Sequence, residues 1–390
     1  MIDFSLSEEQ RQVRDTVRAF ITREVLPLEE TVLRNERAAR PGLEPGALRE
    51  LQQKARRAGF WGLTTPEEYG GIALGPVMNV VLEMELGRTF VPFRFGGSAD
   101  NILFAATPEQ QRTYLLPTIA GERRSCFAIT EPGAGSDARN IRTRARRDGG
   151  DWVISGEKTF ISGGHEADFC IVFAVTDPQR GADGGVTAFL VDREAGWTSS
   201  PIPTMGEWGP ASLYFDDVRV ADTQVLGEVG DGFALAMQWI GQGRYVIPAR
   251  AVGAAERLLG MALDYATVRE SMGYPIAEYQ AIQWQIADSQ IEIESTKWLT
   301  LHAAWRAERG LDARHATSIA KLTGAVMANQ VVDRVLQIHG GIGYTKELPI
   351  ERWYRELRVL RIYEGTDEIQ RRTIARNLLK GHVALGAIGE

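Results

Sequence analysis

One switch in patterning constrains this chain's fold more than any other feature. Apolar residues recur at helical spacing through the first hundred or so positions, give way to short β-type runs from about Ser125 to Leu226, and return to helical spacing after Gly232. At the start, Ser7-Glu8-Glu9-Gln10 reads as a capping box, and Val13, Val17, Phe20 and Ile21 form one buried stripe behind it. Loops are expected at Pro41-Gly42 and Pro45-Gly46, a helix from about Leu48 to before Gly59, a glycine loop at Pro66 to Gly71, and helices over Val77 to Gly87 and Glu109 to Ile119. In the middle, Trp152-Val153-Ile154 follows the turn Asp148-Gly149-Gly150, and Phe169 to Val175, Val186 to Val191 and Leu213 to Val220 are runs of β-formers. Later, Ile282, Ile286 and Ile293 share one helix face, and Ile319, Leu322, Val326, Val335 and Ile338 another. The chain thus divides into helices over 1–122, a β-domain over 123–228 and a helical bundle over 229–390, without internal repeats.

Composition excludes several function classes. The 390 residues are 44% hydrophobic and 24% charged, as in ordinary globular proteins. A net charge of −7 argues against nucleic-acid binding, which needs a basic face. No run of about 18 apolar residues occurs, so no membrane span is expected. The polar N-terminus lacks the apolar core of a signal peptide, which points to a cytoplasmic protein. Cys126 and Cys170 form no CxxC pair and read as structural thiols. The five histidines have no ligand spacing, so no metal site is expected.

Two stretches carry the chemistry. Near the end, Tyr363-Glu364-Gly365-Thr366 follows a dense basic helix, Glu351 to Arg361; Gly365 breaks the helical pattern, so Glu364 should sit on a turn between two helices, able to project into a cavity. Upstream, Gly133, Gly135 and Ala138 match GxGxxA within Phe127 to Asp137. A dinucleotide fingerprint must open a helix in a βαβ unit, but Ile141 to Arg147 here runs into a turn and a hairpin. What remains is a glycine-rich loop on a β-domain, either a plain turn or one whose backbone N–H groups approach a ligand.

These residues carry a family resemblance. Thr130-Glu131-Pro132-Gly133-Ala134-Gly135-Ser136-Asp137 resembles the first signature of the FAD-dependent acyl-CoA dehydrogenases, and Gly156-Glu157-Lys158-Thr159-Phe160-Ile161-Ser162 the strand after it. Arg269-Glu270-Ser271-Met272-Gly273 with Gln280, Gln337 to Tyr344, Tyr363 to Thr366 and Pro66 to Gly71 are similar to further segments, in order along nearly the whole chain. The resemblance implies an N-terminal helical domain, a middle β-barrel-like domain and a C-terminal four-helix bundle. It also implies FAD, with Phe127, Ile129 and Thr130 along the isoalloxazine and Phe160 and Ser162 covering its other side. Arg269, Met272, Gln280, Gln337 and Gly341 would reach a neighbouring subunit's FAD. Thr366 and Glu368 would meet the adenosine-pyrophosphate region, though many relatives have Gln at the position of Glu368. Core packing is the competing reading for Phe127 and Phe160, a solvated helix cation for Arg269, and a structural ion pair for Arg244.

By the same resemblance, Glu364 removes the α-proton of an acyl-CoA thioester while the β-hydride leaves to flavin N5, giving the trans-2-enoyl-CoA. The enolate needs fixed donors on the thioester oxygen, and drying of the site should raise the pKa of Glu364. Arg244 lies near substrate and base; Gly365, Ser136 and Phe233 are further substrate contacts. Some members carry the base just before the matching arginine; that position is Gly243 here, which leaves Glu364 as the candidate. The loop Met205 to Leu213 looks shorter than usual, so its ligand contacts do not carry over. Electron-transfer flavoprotein is the expected acceptor, and a homotetramer or homodimer the expected assembly. The alternative is a flavin oxidase or monooxygenase on the same scaffold, of the nitroalkane oxidase kind. Many such enzymes have Asp or no carboxylate at the base position, so Glu364 favours the dehydrogenase. No GxSxG elbow supports a hydrolase.

Overall fold

A computed structural model describes residues 5–207 and 209–386. The α-helices are α1 (Glu8–Phe20), α2 (Glu29–Arg37), α3 (Pro45–Arg57), α4 (Pro76–Gly87), α5 (Pro108–Gln110), α6 (Leu116–Ala120), α7 (Gly232–Gly243), α8 (Val246–Val268), α9 (Gln280–Glu308), α10 (Arg314–His339), α11 (Ile350–Leu357) and α12 (Asp367–Leu379). The strands lie between α6 and α7, apart from one short hairpin between α8 and α9. The architecture is therefore N-terminal helices, a middle β-sheet domain and C-terminal helices. Contacts divide the chain into two compact units, one of Met1–Phe60, Leu74–Phe95 and Gly243–Glu390, the other of Trp61–Ala73 and Gly96–Gln242.

In the helical unit the capping box forms as the sequence predicts: Ser7 Oγ accepts from Gln10 N at 3.1 Å and Gln10 Oε1 from Ser7 N at 3.0 Å. Val17, Phe20 and Ile21 are buried, with Val13 partly so. Pro45-Gly46, expected as a loop, instead opens α3. The reason is that a proline in the first turn lacks only an N–H that has no partner there. Helices α8, α9 and α10 pack on one another, and α4 packs on α8 and α9. Two glycines allow the close approach of α4 and α8. A Cβ on Gly253 would lie 1.9 Å from Met84 O, and one on Gly87 2.3 Å from Arg250 O. Arg352 of α11 is buried and bonds Glu36 of α2 at 2.8 Å, which fixes the segment leading to Glu364.

The other unit is built on an eight-stranded sheet: β1 (Ser125–Ala128), β2 (Arg144–Asp148), β3 (Asp151–Ile161), β4 (Phe169–Val175), β5 (Val186–Asp192), β6 (Thr198–Pro201), β7 (Ala211–Ala221) and β8 (Val225–Leu226). The order is β6-β7-β3-β2-β4-β5-β8, with β1 parallel to β4. The β2–β3 hairpin turns at Gly149-Gly150, and the GxGxxA stretch leads only into a short 3-10 turn at Ala138–Asn140, as rejecting the Rossmann reading requires. Residues alternate between two cores, so β4 sends Cys170, Val172 and Ala174 to one and Phe169, Ile171 and Phe173 to the other. Each fully buried phenylalanine contributes roughly 1.5–3 kcal/mol. Both cysteines are free and buried. The helix expected over Glu109 to Ile119 contains a π-turn at Gln111–Leu115. Pro117 cannot donate to Thr113 O four residues back, and Arg123 bonds that carbonyl instead at 3.1 Å. Trp208, within the loop read as short, lies outside the described residues. Among the described residues no helix is long and apolar enough to cross a membrane.

Candidate active site

In the helical unit, α11 passes through a 3-10 turn (Arg358–Arg361) into an open bend, and α12 begins at Asp367. Thr366 caps α12, its Oγ1 accepting from Ile369 N at 3.3 Å. The bend has two successive left-handed residues, Glu364 at φ 54° and Gly365 at φ 90°. Glycine adopts that region freely, whereas a glutamate there stores about 1–3 kcal/mol of strain. The placement agrees with the expectation of a carboxylate at a break between helices.

Glu364 is half-buried. Burial pushes its pKa above the ordinary glutamate value, while the charges of Arg244 and Lys321 pull it partly back. Arg244 is itself half-buried and its Nε has no hydrogen-bond partner. Burial lowers its pKa, and the Glu364 charge opposes this. The structural ion pair considered for Arg244 does not form among the described residues.

Two residues that sequence reasoning passed over hold this bend from within. Lys321 Nζ donates to Gly365 O at 2.6 Å, and Gln370 Nε2 to Glu364 O at 3.1 Å and Gly365 O at 3.3 Å. Both side chains are fully buried. The available signal was a lysine on the buried face of a helix, in register with Thr317, Gly324, Ala328 and Val331. The other expected site residues of this unit lie elsewhere on it. Arg269, Met272 and Gln280 are exposed at the short hairpin and the start of α9, with Met272 at φ 50° and 91% exposed. Gln337 and Gly341 are exposed at the end of α10, and Glu368 is exposed in the first turn of α12.

In the sheet unit, Phe127 on β1 is half-buried and stacks on Trp239 of α7 at 4.0 Å between ring centroids. Ile129 is buried and Thr130 half-buried. Thr159 N donates to Thr130 O at 2.9 Å, which ties this segment to β3. Between Lys158 and Ile161 the β3–β7 register slips: Lys158 faces Leu213 and Ile161 faces Ala211. This is a bulge, with two residues of β3 opposite one of β7. It turns Phe160 outward at φ 57° and 63% exposure. Phe127 thus packs on one face against Trp239 and stays partly exposed, whereas Phe160 has no core packing. Ser162 and Ser136 are exposed, and the ring of half-buried Phe233 lies under the Arg139 guanidinium at 5.6 Å.

A buried ion pair braces this corner. Lys158 Nζ donates to Glu131 Oε1 at 2.7 Å and Ile129 O at 3.1 Å, and Glu131 also accepts from Arg142 N at 2.6 Å and Thr143 N at 2.9 Å. Burial lowers Lys158 to about 8 against the Glu131 charge. Burial alone would raise Glu131, but Lys158 and Thr143 hold it below its ordinary value. Gly133 and Gly135 have open space where a side chain would stand. An exposed aromatic held on a braced bulge, beside a loop whose backbone is open to approach, fits a planar aromatic cofactor with a polar tail.

Comparison with known proteins agrees in each domain. The acyl-CoA dehydrogenase N-terminal, middle and C-terminal domain models match residues 7–122, 126–218 and 230–379. The chain is 38% identical over 384 residues to the 3-(aryl)acrylate reductase of Clostridium sporogenes (strain ATCC 15579), covering 96% of this chain and 99% of that protein. It superposes on butyryl-CoA dehydrogenase from Megasphaera elsdenii with a TM-score of 0.85 at 30% identity, covering 97% of this chain and 100% of that one. The FAD complex of PigA superposes with a TM-score of 0.84 at 26% identity, covering 97% of this chain and 99% of that one. The chain is an oxidoreductase that belongs to the acyl-CoA dehydrogenase family.

Proposed function

We propose that this protein uses FAD to dehydrogenate an acyl-CoA thioester between its α and β carbons, with Glu364 as the base. One observation carries the reading: a half-buried carboxylate, held in left-handed backbone, shares its surroundings with a half-buried arginine whose buried Nε is unbonded. Such a carboxylate is poorly solvated and therefore a stronger base than a free one. Burial raises its pKa, and the Arg244 charge opposes that by favouring the ionised form. In this reading Glu364 takes the α-proton at a carboxylate oxygen, and its own backbone N–H, with Gly365 alongside, faces the thioester oxygen. Bound FAD would supply the hydride acceptor for the β-hydrogen.

For the cofactor we propose Phe160 and Ser162 on one side of the ring and Phe127, Ile129 and Thr130 on the other. Thr366 and Glu368 would meet the polar tail, and Arg269, Met272, Gln280, Gln337 and Gly341 the cofactor of a second subunit. Ser136 and Phe233 remain candidates for the substrate. Self-association is supported by an exposed apolar row on α9, where Trp284, Ile291 and Trp298 recur every seventh residue at 60%, 63% and 40% exposure. The FAD complex of a relative supports the cofactor. Electron-transfer flavoprotein is the proposed acceptor. A relative named as a 3-(aryl)acrylate reductase is a precedent for the reverse type of reaction, reduction of an acrylate double bond, in a similar chain.

The test is a panel of thioesters (butanoyl-, octanoyl- and 3-phenylpropanoyl-CoA) mixed anaerobically with flavin-loaded protein. At least one should bleach the flavin and yield the 2-enoyl-CoA. No bleaching by any of them contradicts the reading, and rapid oxygen consumption with product formation favours the oxidase.

A further inference from the structure

We propose that Lys321, together with Gln370, is a positioning residue that holds the Glu364 carboxylate in place from inside the helical unit. This rests on the reading of Glu364 as the base.

A strained backbone persists only where its surroundings fix it. Here two consecutive carbonyls are held. Gln370 Nε2 takes Glu364 O at 3.1 Å, and Lys321 Nζ takes Gly365 O at 2.6 Å. Fixing these two peptide planes fixes ψ at both left-handed residues. The donors come from two different helices, α12 and α10, so the bend is held from both. Gln370 also occupies the space that glycine leaves, since a Cβ on residue 365 would stand 2.7 Å from its Nε2.

A neutral donor would serve the hydrogen bond equally well, yet the chain buries an ammonium, which is expensive. Lys321 makes no ion pair among the described residues. Burial lowers its pKa to about 8; the charges of Asp367, Glu364 and Glu368 favour the ammonium against this, and Arg244 opposes it. The charge therefore has a use beyond the bond: it stabilises the ionised carboxylate of Glu364 across the bend. Geometry and charge come from one side chain.

The experiment compares Lys321→Met, Gln370→Leu and Glu364→Gln with wild type. All are full-length and FAD-loaded, and the probe is whichever of butanoyl-, octanoyl- and 3-phenylpropanoyl-CoA wild type bleaches fastest. Lys321→Met should lower kcat by about 10- to 100-fold, as misplacement of a reacting group does. It should move the acid limb of the kcat–pH profile to higher pH and leave KM near its wild-type value. Gln370→Leu should lower kcat while leaving the acid limb in place, because it removes geometry but no charge. If Lys321→Met does not fold, Gln370→Leu carries the test through that same split. Loss of thermal stability with kcat and acid limb as in wild type would overturn the proposal and make both residues merely structural. Should Glu364→Gln keep wild-type turnover, the base assignment itself fails, a separate result that takes this inference with it.

Discussion

The two units each bury a lysine beneath a left-handed residue, and the two lysines are balanced differently. Lys158 is paired: Glu131 lies 2.7 Å away and is bonded by two backbone N–H groups. Lys321 bonds a carbonyl, and its acidic neighbours act on it from beyond ion-pair distance. Burial lowers both lysines to about 8. A paired charge is spent on holding its own partner, so Lys158 shapes the bulge that presents Phe160 but projects little net field. An unpaired one leaves its field to the surroundings, and for Lys321 those include Glu364. Lys158 on β3 is thus a brace and Lys321 on α10 an electrostatic support, although the two are equally buried.

Breaking the brace should have the largest effect on the fold. Lys158→Met leaves a buried, uncompensated carboxylate at Glu131 and should cost about 3–5 kcal/mol, read by chemical denaturation. Because Glu131 is held below its ordinary value, the stability it contributes is present above the unfolded glutamate pKa and lost as pH falls through the folded one. Wild type and Lys158→Met should therefore converge in stability in acid. A variant as stable as wild type at neutral pH would remove the distinction drawn between the two lysines.

Next in size is Arg244→Met, which touches only the unpaired side. Without that guanidinium the Glu364 pKa rises further, so the acid limb of kcat/KM should shift to higher pH, and the rate at neutral pH should fall about tenfold or more. An unmoved limb would place Arg244 outside the reaction. Phe160→Gly sharpens the comparison from the other side. It should raise the stability of the flavin-free protein by up to about 1 kcal/mol, since the left-handed strain disappears and little burial is lost. It should also weaken flavin retention, measured by titration of the apoprotein; unchanged affinity would argue against a cofactor platform there. The smallest expected effect is on the stability of Glu364→Gln. A carboxyl whose folded pKa is raised contributes stability below its unfolded pKa and loses it as pH rises through the folded value. At pH 7 the glutamine variant should thus melt no lower than wild type, and any advantage should vanish in acid.

Much of this was legible in the chain. The break at Gly365, the hairpin after Gly149-Gly150 and the helix–strand–helix order follow from glycine conformation and side-chain periodicity, which are local properties. The Phe160 bulge was not legible, because an extra residue in one strand depends on register with β7, more than 50 positions away in sequence. Nor was the role of Lys321: its bond partner lies 44 residues on, and the sequence offers only a charge at an otherwise buried helix position. Pro45-Gly46 misled for the opposite reason, as a local breaker signal that also fits a helix start.

The central claim concerns one proton. Flavin-loaded Glu364→Gln should be mixed with the thioester that wild type oxidises fastest, following flavin absorbance under anaerobic conditions and α-hydrogen exchange into deuterated water by NMR. Bleaching and exchange should both slow by about 10²–10⁴-fold, while flavin content and thermal stability at pH 7 stay at or above wild type. Wild-type rates of bleaching and exchange in that variant would mean that another group removes the proton and that the strained bend at Glu364 serves some other end.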